Sequence, residues 1–228
     1  MARIIWDQDG ERLYETGVSN CVVYPDKITD EGADKGGFKN GVAWNGITNI
    51  SESPSGAEAS PIYADNIKYL NLISAEELAA SVEAYTYPDE FAILDGTQAV
   101  VEGVYVGQQT RKTFGLCYKT LIGNDTDNTD HGYKLHLIYN CIAAPSEKAY
   151  ATVNDSPEAI SFSWELSTTP MAVGGDGSYK ASATVTIDST KTDATKLKTF
   201  EDTLYGTEEK EPTLPPISAV IDHFKTEG

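Results

Sequence analysis

The sequence predicts a mainly β protein: an antiparallel sandwich or barrel with one or two packed α-helices and a long β-hairpin. Three observations carry this. Alternating segments recur, as where Ile160, Phe162, Trp164 and Leu166 interleave with Ser161, Ser163 and Glu165, and a period of two marks a strand with one buried face. The stretches between such segments are rich in Gly, Asn, Asp, Ser and Pro, residues that satisfy their own backbone in turns. Finally, two runs of aromatic and aliphatic residues, Thr113 to Leu121 and Tyr133 to Ile142, flank a tract of Asn, Asp, Thr and Gly, the pattern of a hairpin with a polar tip.

Taken in order, Ile4 to Trp6 and Cys21 to Tyr24 are short apolar pieces separated by Asp9-Gly10, which reads as a small N-terminal hairpin or arm. Pro25 to Gly41 has little to bury and predicts a mobile loop. Val42 to Ile50 reads as a strand, and residues 51–61 as a second mobile polar loop. Asn66 to Ile73 is a strand, 74–78 a turn and 79–87 another strand. Pro88 opens a short helix, Asp89 to Asp95, with acids in its first turn and Gly96 past its end.

In the central hairpin, Phe114, Leu116 and Tyr118 share one face. Tyr133, Leu135, Leu137, Tyr139 and Cys141 are the apolar set of the returning strand. Keeping buried sets together places Phe114, Leu116 and Tyr118 over Leu135, Leu137 and Tyr139. One face is then oily and the other mixed, with Cys117 and Cys141 on opposite faces. Strands follow over 159–168 and over 180–188, the latter with Ala181, Ala183, Val185 and Ile187 inward; Gly174-Gly-Asp-Gly177 lies between them as a turn. Leu197, Phe200 and Leu204 recur at helical spacing within Thr192 to Tyr205, with Thr192 or Asp193 as cap and Gly206 as stop. One domain over 1–205 and a polar tail over 206–228 result.

The chain has 228 residues, of which 17 are basic and 35 acidic, a net charge of −18. Without a basic block it is unsuited to binding phosphate backbones, which requires Lys and Arg to displace counterions. By itself the charge speaks to solubility. No opening apolar region and no run of about 18 apolar residues is present, so a cytosolic site of synthesis and no membrane span are expected. Cys21, Cys117 and Cys141 form no Cys-x-x-Cys pair and are expected to be reduced and structural.

Signatures of chemistry are few. Asp125-Thr-Asp127 begins like a calcium loop, but the sixth position is Asp130 rather than Gly and the twelfth is His136 rather than Glu. His131, His136 and His223 show no ligand spacing, and no nucleophile elbow, phosphate loop or dinucleotide fingerprint occurs. No catalytic residue, cofactor or metal is therefore expected, and the chain does not read as an enzyme.

The block Arg111-Lys-Thr-Phe-Gly-Leu-Cys-Tyr-Lys-Thr-Leu-Ile-Gly-Asn-Asp-Thr-Asp127, with His131-Gly-Tyr-Lys-Leu-His-Leu-Ile-Tyr139 and Ala144-Pro-Ser-Glu-Lys148, resembles the major tail proteins, or tail tube proteins, of long-tailed phages and prophages of Gram-positive bacteria. So do Gly41-Val-Ala-Trp-Asn-Gly-Ile47, Tyr63-Ala-Asp-Asn-Ile-Lys-Tyr-Leu70, Glu83-Ala-Tyr-Thr-Tyr-Pro-Asp-Glu-Phe91 and Asn154-Asp-Ser-Pro-Glu-Ala-Ile-Ser-Phe-Ser-Trp-Glu165. The resemblance runs to about Tyr205. It implies a virion structural protein whose rings of six copies stack into a tube, alongside tape-measure, tail-terminator and baseplate proteins. DNA would pass through the lumen without specific binding. On this reading the central hairpin, through Phe114, Leu116, Tyr118, Leu135, Leu137 and Tyr139, pairs with a neighbouring sheet edge in the ring, and Glu83, Glu102 and Glu165 are candidate lumen acids. The alternative is a monomeric carbohydrate-binding or adhesin-like β-sandwich, which needs an aromatic platform beside a loop cluster.

Overall fold

The computed structural model describes residues 3–225 apart from 31, 154, 156, 157 and 175–178. In chain order the strands before the first helix are β1 (Tyr14–Tyr24), β2 (Asp26–Lys27), β3 (Phe38–Lys39), β4 (Val42–Ala43), β5 (Ile47–Gly56), β6 (Ala59–Ala64), β7 (Ile67–Ile73) and β8 (Glu76–Ala84). Helix α1 (Asp89–Leu94) precedes β9 (Gln98–Val101), β10 (Val104–Val106), β11 (Phe114–Asn124), β12 (Asn128–Ala143), β13 (Phe162–Ser167) and β14 (Thr184–Asp188). Then come α2 (Ala194–Tyr205), β15 (Thr213–Leu214) and α3 (Ile217–Phe224).

The main antiparallel sheet has the order β4-β1-β11-β12-β13-β8-β5. Its axis is β12, long enough at 16 residues to hold β14 along Lys134–Ile138 and β13 at Ile142 and Ala143. Two cores lie on its opposite faces. The first gathers Cys21, Val23, Val82, Ala84, Phe114, Leu116, Ile138, Cys141, Trp164 and Leu166, with Phe91 and Leu94 of α1 closing over them. Phe91 sits 4.2 Å from Trp44, 5.2 Å from Trp164 and 5.6 Å from Phe114 between ring centroids, the tilted and edge-on geometry aromatic quadrupoles favour. The second gathers Val22, Tyr24, Cys117, Leu135, Leu137 and Tyr139 beneath Leu197, Phe200 and Leu204 of α2 and Ile217 and Val220 of α3. Each buried Val, Leu, Ile or Phe side chain among them contributes about 1.5–3 kcal/mol.

The short helix at Asp89, the Leu197-Phe200-Leu204 stripe and the strands at β7, β13 and β14 form where the sequence predicts. Asp193 is the cap of α2: its Oδ1 accepts from the Thr195 and Lys196 amides at 3.0 and 2.9 Å.

Other expectations are corrected. The central hairpin pairs Leu116 with Ile138, Cys117 with Leu137 and Tyr118 with His136, so Phe114, Leu116 and Tyr118 do not lie over Leu135, Leu137 and Tyr139. The two sets face opposite cores; the face of Leu135, Leu137 and Tyr139 is apolar, and the other is mixed as expected, with Thr120, Lys134 and His136 beside Leu116, Tyr118 and Ile138. The ladder matches even-numbered residues of the two strands from Leu116 to Thr120, and a bulge at Asn140, whose φ is 49°, then sets Tyr139 and Cys141 on opposite faces. Its amide accepts from Lys27 Nζ at 2.7 Å and donates to the Thr169 carbonyl at 3.0 Å. Cys117 and Cys141 do face opposite cores, but through this bulge. The tip of the hairpin shrinks to residues 125–127, since the polar residues on either side continue the ladder.

The segment expected to be a mobile loop over 25–41 is bound at both ends into a small sheet, β15-β3-β2, with Phe38 fully buried; its partner strand lies far off in sequence and leaves no local trace. The polar stretch 51–61 is largely strand, in β5 and β6. The expected polar tail holds β15 and α3. Pro216 caps an apolar spacing of Ile217, Val220, Ile221 and Phe224, a signal overshadowed by the Glu- and Lys-rich residues before it. The N-terminal apolar piece forms no strand, and Ile4, Ile5 and Trp6 stand exposed. Of the turn expected at Gly174-Gly-Asp-Gly177, residues 175–177 lie outside the described residues.

Candidate functional site

The six residues assigned to a ring-assembly hairpin, Phe114, Leu116, Tyr118, Leu135, Leu137 and Tyr139, are all core residues, at most 5% exposed. Both edges of their hairpin are occupied inside the subunit, β11 by β1 and β12 by β13 and β14. Along the stretches that carry these six residues the hairpin has no free edge among the described residues, which corrects that placement. Aromatic and β-branched richness marks a central strand as readily as an interface strand.

A different surface is open. Where β13, β8 and β5 lie side by side, one face carries Trp164, Leu166 and Val82 into the first core and the other face is bare. Register places Glu165 beside Ser81, Ser163 beside Glu83, and Glu83 beside Asn49, with Ser51 next along β5. None of these side chains is buried. The face is thus flat, made of small polar residues, and negatively charged by two of the predicted acids, Glu83 and Glu165. The third, Glu102, is not on it. It occupies the turn between β9 and β10.

Two ribbons project from the body with both faces exposed. The first, β6 with β7, continues β5 and β8 outward and pairs Ile62 with Leu70 and Ser60 with Leu72. Ile62 is 41%, Leu70 39% and Leu72 57% exposed. At its root Gly56, φ 82°, packs so closely that a Cβ there would sit 2.3 Å from the Ala75 carbonyl oxygen. Asp65-Asn66 stands as the turn between two runs, of which the first carries the Ser, Pro and Gly that make 51–61 resemble a loop. The second ribbon, β9 with β10, exposes Val100, Val101, Val104, Tyr105 and Val106.

The base of the second ribbon is fixed by charge. Asp95, which ends α1, is buried between Lys148 Nζ at 2.7 Å and Arg111 Nη2 at 3.8 Å. Burial disfavours the Lys148 ammonium, but the Asp95 carboxylate outweighs it and the Lys148 pKa moves up.

Between β1 and β5 lies a polar cluster. Tyr118 donates to Glu52 Oε1 at 2.7 Å and stacks on His136 with centroids 4.6 Å apart; His136 Nε2 lies 2.9 Å from Thr120 Oγ1. Burial pushes the His136 pKa down, partly offset by Glu52 and Glu15, while Lys134 adds to the drop. At the hairpin tip, Asp125 accepts from the Gly10 amide and pairs with Arg12, and Asp127 pairs with His131, so the acids resembling a calcium loop anchor the N-terminal segment and brace the turn. Burial raises all three cysteine thiols, Cys117 to about 12, which keeps them protonated and inert at neutral pH. Trp44 and Trp164 are core residues and build no sugar platform.

No protein-family model matches the chain, and no curated protein matches it. Among solved structures, a chain from the six-fold symmetrised cryo-EM structure of the anti-feeding prophage baseplate is similar over 82% of this chain and 99% of its own length, at 11% identity and a TM-score of 0.36. A chain of the sheath-tube complex of an extracellular contractile injection system, PVC, in its extended state is similar over 74% of this chain and 88% of its own, at 12% identity and a TM-score of 0.30.

Proposed function

We propose that this chain is the structural subunit of a phage-type tail tube, polymerising as stacked hexameric rings around a bore through which DNA leaves the capsid. The observation that carries the reading is the exposed polar face of β13, β8 and β5, which the proposal turns toward the bore. Small polar side chains make a smooth wall, and Glu83 and Glu165 give it the charge of the DNA it must release. Screening at physiological salt confines such repulsion to roughly 8 Å, so the wall acts on phosphates passing close by. Lysines in the same places would displace counterions and hold the DNA. The sequence blocks resembling tail tube proteins support the same role, with tape-measure, tail-terminator and baseplate proteins as neighbours in the virion tail.

The test is electron microscopy of the purified chain together with a DNA-retention assay on the assembled particles at low salt. Tubes of the native chain should release double-stranded DNA, while tubes of the Glu83→Lys, Glu165→Lys variant should retain it and let go as salt is raised. A chain that stays monomeric at high concentration, or variant tubes that release DNA like the native ones, would overturn the reading.

A further inference from the structure

We propose that the two projecting ribbons are the two halves of one contact: the β9–β10 ribbon of one copy packs on the Ile62, Leu70 and Leu72 face of the β6–β7 ribbon of a second copy. The inference rests on the self-assembly reading above and adds to it which surfaces meet. An isolated two-stranded ribbon is marginal in water, and three or more strands with an apolar face are needed for stability. Each copy carries two such ribbons, separately hydrogen-bonded as β6–β7 and β9–β10. Each exposes aliphatic side chains that neither core covers. Joined, they make a four-stranded unit with one apolar face closed. The stoichiometry balances, because every copy brings one of each.

Charge points the same way. Glu102 is the only charged residue of 98–106, and Lys68 the only cation of 59–73, with Asp65 in the turn beside it. Neither Glu102 nor Lys68 has an ion-pair partner among the described residues. In a protein of net charge −18, a cation near the end of one ribbon and an acid at the turn of the other favour their meeting over like meeting like. A contact between unlike surfaces does not close on a pair of copies. It propagates into a ring or filament.

Leu70→Asp disables one ribbon and Val104→Asp the other, and both positions are exposed, so the fold is retained, as circular dichroism should confirm. The readout is capture of an untagged chain by a tagged one. Leu70→Asp should capture Val104→Asp about tenfold more than either variant captures itself, because only the mixed pair has one intact ribbon of each kind. Lys68→Glu and Glu102→Lys should each weaken native self-capture, and the double exchange should restore it. If the native chain captures itself but mixed capture is no greater than self-capture, the pairing is wrong while self-assembly stands. A native chain that fails to capture itself removes both.

Discussion

The two halves of the main sheet were built from similar strands to different ends. In the half formed by β1, β11, β12 and β14, both faces carry buried apolar side chains, one packed in the first core and the other under α2 and α3. In the half formed by β13, β8 and β5, one face is equally well buried, by Trp164, Val82 and Leu166, but the other carries Ser, Asn and Glu side chains, none of them buried among the described residues. The first half holds the protein together. The second can spend a whole face on its surroundings because the first does not need its help, and the projecting ribbon continues from that second half.

Substitutions should separate the halves by magnitude. Leu137→Ala removes a fully buried side chain from the doubly covered half and should cost about 2–5 kcal/mol, read as a lower midpoint in urea unfolding. A loss under about 1 kcal/mol would mean that the second core is loosely packed. Removing the cap of α2 with Asp193→Ala, which loosens only the lid of that half, should cost about 1 kcal/mol in the same assay. Ser81→Ala and Glu83→Gln, on the bare face, should move stability by no more than about 0.5 kcal/mol while leaving the fold intact; a larger loss would show that this face is engaged within the subunit.

Acid should act at the boundary between the halves. His136 lies at the β1–β5 gap with its pKa depressed in the folded chain. It therefore contributes stability in full above its unfolded value of about 6.5, and that contribution is lost as the pH falls below 6.5 through the folded pKa. Urea midpoints taken between pH 7.5 and 5.5 should decline in the native chain and decline less in His136→Gln. Equal slopes would show that other groups carry the effect.

The same contrast explains what the sequence disclosed. One-sided strands are legible because alternation names the buried face, as in β13, where Trp164 and Leu166 turn inward and Glu165 outward. The α2 helix was legible from Leu197, Phe200 and Leu204. The doubly covered strands were recognised as strands, but their register was not, since a strand apolar on both sides gives no reason to prefer one face. Phe38 and Leu214 meet across the chain and were invisible to any local window. The stretch 51–61 reads as a loop because Ser, Pro and Gly in β5 and β6 resemble a turn until their partner strands are known.

The bulge at Asn140 can be regarded as a shift of reading frame in the side-chain code of β12. Upstream of it, even positions such as Ile138 serve the first core; downstream the odd positions Cys141 and Ala143 do, while Ile142 turns out toward Ser167. Deleting Asn140 would leave a regular strand with these faces unchanged, whereas straightening the bulge at full length would present Cys141 and Ala143 to the outside and Ile142 to the inside. The message carried by the last three residues would change without any of them being altered. A point change elsewhere in β12 edits one letter, but a change at Asn140 that abolishes the bulge rewrites the join between the half of the sheet that is sealed and the half that is left open.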